Sequence, residues 1–114
     1  MSKPATVQMP DLYGHLPDVL AEDERILKEK FISYGDSWKR RGGAGAFMVL
    51  ARKWDRLENY MGQEHPDASP KQWDIFDHIE KDPREEGVLD DIRDLRRYLA
   101  LVEAECLARG YIKI

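Results

Sequence analysis

The chain has 114 residues, 42% apolar and 35% charged, with 18 Lys plus Arg against 22 Asp plus Glu, a formal net charge of −4 and one cysteine. That is enough apolar chain for one core and too little for two full domains, and the acidic balance argues against direct nucleic-acid binding. Lone Cys106 cannot close an intrachain disulfide, no Cys/His cluster offers zinc ligands, and no apolar run reaches the roughly 18–20 residues of a membrane span or forms the core of a signal peptide; a cytoplasmic protein with no membrane partner is expected.

Residues 1–15, with Pro4, Pro10 and Gly14, read as an extended arm, and residues 16–114 as a single domain. Pro17 suits the first turn of a helix running to about Ser33, after which Tyr34-Gly35-Asp36-Ser37 reads as a turn. A second helix is entered through Gly42-Gly43-Ala44-Gly45 and ends near Gly62, with Phe47, Leu50, Trp54, Leu57 and Met61 spaced as a helical stripe. Residues 62–69 are a polar loop. Ser69-Pro70 opens a short helix to about Glu80, and Asp82-Pro83-Arg84-Glu85 carries the cap, proline and N3 glutamate of a last helix beginning at Pro83. That helix shows Val88, Ile92, Leu95, Leu99, Val102 and Cys106 on one stripe and is ended by Gly110. No alternating strand pattern appears. The fold class expected is all-α, an antiparallel helical bundle of three substantial helices with the short one packed across it.

Charge is unevenly distributed. Between Lys39 and Arg56 there are six basic residues against Asp55 alone; between Asp82 and Asp94 there are six acidic residues against two basic. At about 100° per residue the stripe of the second helix centres near Trp54, with Glu58 about 40° away and Asp55 about 100° away. On the last helix Asp91 falls near the apolar stripe and Asp94 further out. Asp55 with Glu58, and Asp91 with Asp94, are i, i+3 pairs that can face each other if the two helices are antiparallel neighbours. Converging carboxylates without His or Cys are the ligand set of a hard cation such as Mg²⁺, or Mn²⁺ in its place. The bland alternative is that Asp91 and Asp94 pair with Arg52, Lys53, Arg93 or Arg97. Lys39, Arg52, Lys53 and Arg56, with Arg40 and Arg41 before the glycine-rich start, could hold a polyphosphate. His15, His65 and His78 are dispersed and read as surface residues, Cys106 as a buried inert thiol, and Trp38, Trp54 and Trp73 as packing residues.

The strings Tyr34-Gly35-Asp36-Ser37-Trp38, Ala51-Arg52-Lys53-Trp54-Asp55-Arg56-Leu57-Glu58-Asn59 and Glu86-Gly87-Val88-Leu89-Asp90-Asp91-Ile92-Arg93-Asp94-Leu95-Arg96-Arg97-Tyr98 resemble the phage-associated nucleotide-modification domain family. That family is similar in turn to the all-α nucleoside triphosphate pyrophosphohydrolases of the MazG-like and dUTPase-like type, over about residues 20–105. The resemblance implies an oligomeric, Mg²⁺-dependent all-α protein that releases pyrophosphate from a dNTP or NTP. Asp55 and Glu58 would be the first acidic pair and the catalytic residues. Asp91 or Asp90 with Asp94 would be the second, and Lys39, Arg52, Lys53 and Arg56 would contact the phosphates. The chain departs from the usual ExxE with DxxE, which leaves open a non-catalytic helical interaction protein, a phage accessory factor or inhibitor that keeps the fold.

Overall fold

The computed structural model describes residues 7–65 and 70–114. Among them all regular structure is helical: α1 (Leu12–Tyr34), a 3₁₀ turn (Ser37–Lys39), α2 (Gly42–Gly62), α3 (Ile75–Lys81) and α4 (Val88–Ala108). The all-α class is as expected, and no helix among these residues is long and apolar enough to cross a membrane. The chain divides into two units, residues 1–35 and residues 36–114.

In the first unit α1 begins at Leu12, ahead of the predicted start at Pro17. Its first turn is tied by the Tyr13 N–H to the Pro10 carbonyl at 3.1 Å and the Gly14 N–H to the Asp11 carbonyl at 3.0 Å. Residues 12–15 of the expected arm are therefore helical, and residues 1–6 lie outside the described residues. Along the helix Arg25 bridges Glu22 and Glu29, and Lys28 pairs with Glu24 at 2.8 Å, the i, i+3 and i, i+4 spacings at which helix side chains meet. Gly35 ends it at the predicted turn. Its φ of 58° is a conformation glycine adopts without a Cβ penalty, and its N–H reaches the Phe31 carbonyl at 2.8 Å.

The second unit is built on α2 and α4. Lys53 pairs with Asp94 at 2.9 Å, Arg56 with Asp91 at 3.4 Å and Lys39 with Glu105 at 2.6 Å. Partners on one helix fall as those on the other rise, so the two helices run antiparallel. The face of α2 turned inward carries buried Leu57 flanked by half-buried Leu50, Lys53 and Met61, and α4 answers with Val88, buried to 1%, and half-buried Leu95 and Val102. This centre lies about 60° round the helix from the one the apolar stripe predicts. Trp54 is 55% exposed and Phe47 66%, so the two largest apolar residues of the predicted stripe face outward.

Two further helix starts differ from the sequence reading. α3 begins at Ile75 because Trp73 sits at φ 65°, which breaks a right-handed helix, with its N–H on the Met61 carbonyl at 3.1 Å. The working cap is Asp74, whose carboxylate accepts the Asp77 N–H at 3.0 Å; the predicted cap Ser69 lies outside the described residues. α4 begins at Val88 rather than Pro83. Asp82 does satisfy an orphan helix N–H, but it is that of Val88, at 2.7 Å.

Candidate functional site

The seam between α2 and α4 concentrates the charge that the sequence distributes between two segments. Lys53 and Asp94 are largely withdrawn from solvent, with side-chain exposures of 16% and 25%. Asp91 is buried, as its helical phase predicts. Its Oδ1 faces the Arg56 guanidinium, while its Oδ2 is buried without a hydrogen-bond partner among the described residues. A carboxylate oxygen in that state is costly in a dry interior.

Asp55 and Glu58 are placed elsewhere. Both are exposed on the side of α2 away from Leu57, bordering an open cleft with Asn59, Gly62 and Trp73. The ring of Trp73 lies so close over Gly62 that a Cβ there would overlap it, and the Trp54 indole N–H donates to the Glu58 carboxylate at 2.7 Å. The rotation of α2 is the physical reason these two carboxylates do not meet Asp91 and Asp94. Among the described residues no three His, Cys, Asp or Glu side chains stand together as a metal-binding group. The four carboxylates as arranged do not fit one shared Mg²⁺: one pair is matched by Lys53 and Arg56, and the other is aimed away.

The same pairing divides the basic residues. Lys39, Lys53 and Arg56 are each engaged by a carboxylate of α4. Arg41 and Arg52 carry no ion pair among the described residues. They border one outward groove of α2 with Gly45, Met48 and Asp55, positions that recur at i, i+4, i+7 and i+11 and so share a face. Gly45 lets the Arg41 side chain lie against the helix, since a Cβ there would come within 2.8 Å of the Arg41 Cβ. Of the basic residues expected to hold a polyphosphate, Arg41 and Arg52 border this groove.

A polar cluster unforeseen in the sequence lies beyond Arg56. His78 is fully buried, not on the surface as read, and neither ring nitrogen has a hydrogen-bond partner among the described residues. His65 and His78 are not dispersed: their ring centroids are 5.6 Å apart, and both rings pack on Tyr60, at 4.1 and 5.7 Å. The Arg84 guanidinium stacks on the Tyr60 ring at 3.4 Å from its centroid and binds the Asp82 carboxylate at 2.9 Å. Burial by itself would raise the Asp82 carboxyl pKa. The hydrogen bonds from the Arg84 side chain and from the Val88 and Arg84 N–H groups outweigh it and hold the group well below the ordinary carboxylate range. Tyr60 is pushed up, by burial first and then by the Asp82 charge. The contacts joining His65 to His78 span a loop and leave no periodic signal; the Asp-Pro-Arg string is the one local hint of this cluster.

At the opposite end of the seam, a small pocket of about 150 Å³ lies between the start of α2 and the end of α4. The Lys39–Glu105 pair forms part of its wall, and the Lys39 ammonium, with the Arg109 guanidinium, holds the Glu105 carboxyl below its usual pKa. Cys106 is half-buried at its edge. No protein-family model, no curated protein and no solved structure matches this chain.

Proposed function

We propose that the chain is a nucleotide-handling protein, a relative of the MazG-like pyrophosphohydrolases it resembles, that takes the polyphosphate of a dNTP or NTP on the outward face of α2. One observation carries this reading: Arg41 and Arg52 share a groove and have no ion pair among the described residues, whereas Lys39, Lys53 and Arg56 are each matched by α4. Guanidinium groups suit phosphate because their donors form a planar fork, and Arg41 adjoins the first turn of α2, where backbone N–H groups also favour anions. Pyrophosphate release, its Mg²⁺ or Mn²⁺ requirement and the phage setting rest on the resemblance alone. Phosphate binding is the part these side chains support. Assembly into a homo-oligomer is part of the proposal, supported by exposed Phe47 and Trp54 on α2.

Calorimetric titration with dNTPs and tripolyphosphate tests it. The Arg41→Ala, Arg52→Ala double variant should bind on the order of 10- to 100-fold more weakly, with the wild type releasing pyrophosphate only with Mg²⁺ or Mn²⁺ present. Unchanged affinity in the double variant, or a wild type that binds no nucleotide, sinks the reading.

The second reading, a non-catalytic interaction protein, is favoured by the ion pairs that occupy Asp91 and Asp94. It wins if Mg²⁺ and nucleotides leave the melting temperature unchanged while a protein partner raises it.

A further inference from the structure

The pocket at the α2 start and α4 end lies away from the arginine groove, yet Gly42, on its wall, directly follows Arg41 in the chain. Its lining is mostly apolar, with aromatic rings from Trp38 and Tyr111 and aliphatic contact from Val102. Its volume of about 150 Å³ is that of a cavity which accepts one benzene-sized ring. Its charged lining is Lys39, Glu105 and Arg109, whose guanidinium reaches Glu105 Oε2 at 3.3 Å. Lys39 donates to both carboxylate oxygens of Glu105, at 2.7 and 2.6 Å, and the Lys39 ammonium stands 5.9 Å from the centre of the Trp38 ring. Gly43 is among the lining residues, and a Cβ there would meet nothing within 4 Å among the described residues.

A ligand that fits must be flat, mostly apolar on its faces and able to offer both a donor and an acceptor along one edge. A nucleobase has that chemistry: every base presents a π-face for stacking, and its edge exchanges hydrogen bonds with a carboxylate and an ammonium. We infer that this pocket receives the base of the nucleotide, between Trp38 and Tyr111, with its edge against the Lys39–Glu105–Arg109 cluster. The inference rests on the nucleotide reading above and supplies what the arginine groove lacks, a source of base preference. With the base seated there, the phosphates leave past Gly42 toward Arg41, the nearer of the two arginines in the chain.

Gly43→Leu provides the test, because it adds a side chain to open space on a helix, at an ordinary backbone φ, and leaves Lys39 and Glu105 in place. Titrations would use the common nucleosides, their 5′-triphosphates and tripolyphosphate as a base-free probe. In the wild type the preferred triphosphate should bind on the order of 10- to 100-fold more tightly than tripolyphosphate. Gly43→Leu and Trp38→Ala should erase that margin, and Glu105→Gln should alter the order of preference among bases. Trp38→Phe, which keeps a stacking ring, should restore most of it. Tripolyphosphate binding equal to that of every triphosphate overturns the base pocket while leaving the arginine groove standing. A protein that binds neither probe overturns both. A single-stranded oligodeoxynucleotide that outcompetes the mononucleotide overturns the assignment to a free nucleotide.

Discussion

The carboxylate of Asp82 lies directly beneath Gly87, close enough that a Cβ at position 87 would overlap Oδ2, the same oxygen that accepts the Val88 N–H at 2.7 Å. The glycine is thus required by close approach rather than by backbone angle. Its φ of −109° is one any residue can adopt. The Asp90 carboxylate completes the arrangement by accepting the Gly87 N–H at 3.1 Å, so two aspartates fasten the start of α4 where the sequence places the cap on a helix beginning at Pro83.

Gly87→Ala should therefore destabilise the fold by about 1–3 kcal/mol, the usual cost of breaking a cap and stranding a withdrawn carboxylate oxygen. Urea denaturation of the variant against wild type measures it. A midpoint equal to wild type would show that the loop yields and that the approach of Asp82 is not a constraint.

Acid should reveal the same carboxylate. Its folded pKa lies below the ordinary value of 3.8, so its contribution is complete above that unfolded value and drains away as pH falls through it toward the folded one. Asp82→Asn should be less stable than wild type at neutral pH and should lose less on acidification between about pH 5 and pH 2. Parallel stability curves for the two proteins across that window would dismiss Asp82 as a source of acid sensitivity.

The Lys53–Asp94 pair invites a double-mutant cycle. Each side chain is more than two-thirds withdrawn from solvent, so removing either partner alone leaves a charge facing the seam and should cost about 1–3 kcal/mol, whereas Lys53→Met with Asp94→Leu should recover much of the loss. Strict additivity of the two single changes would mean that the charges do not feel each other.

Much of this molecule can be read from local pattern. The bounds of α2, the burial of Asp91 on α4 and the turn at Gly35 follow from spacing and residue type. The phase of α2 does not, because Trp54 and Phe47 weigh heavily as apolar residues although α4 packs over Leu57 and Lys53, and a large exposed ring cannot be told from a buried one by its letter. That single rotation separates Asp55 and Glu58 from Asp91 and Asp94. The starts of α3 and α4 escaped for another reason. Trp73 at φ 65° is held through Met61, and Asp82 acts six residues along the chain, contacts that exist only once the chain has folded back. His65 and His78 meet in the same non-local way.

The seam pairs also have a mechanical side. Lys53 and Arg56 are three residues apart, and so are Asp94 and Asp91, which makes the two charge rows repeat with the same step. Sliding α4 by one such notch, about 4.5 Å at 1.5 Å per residue, in one direction would bring Lys53 opposite Asp91 but set Arg56 against Val88 and Asp94 against Leu50; in the other it would bring Arg56 opposite Asp94 but set Lys53 against Arg97 and Asp91 against Asn59. The grip of Lys39 on Glu105 at the far end opposes a slide in either direction. Either slip keeps one attraction and strands one carboxylate of the seam, so the two ion pairs together act as a key that admits a single register of the helix pair.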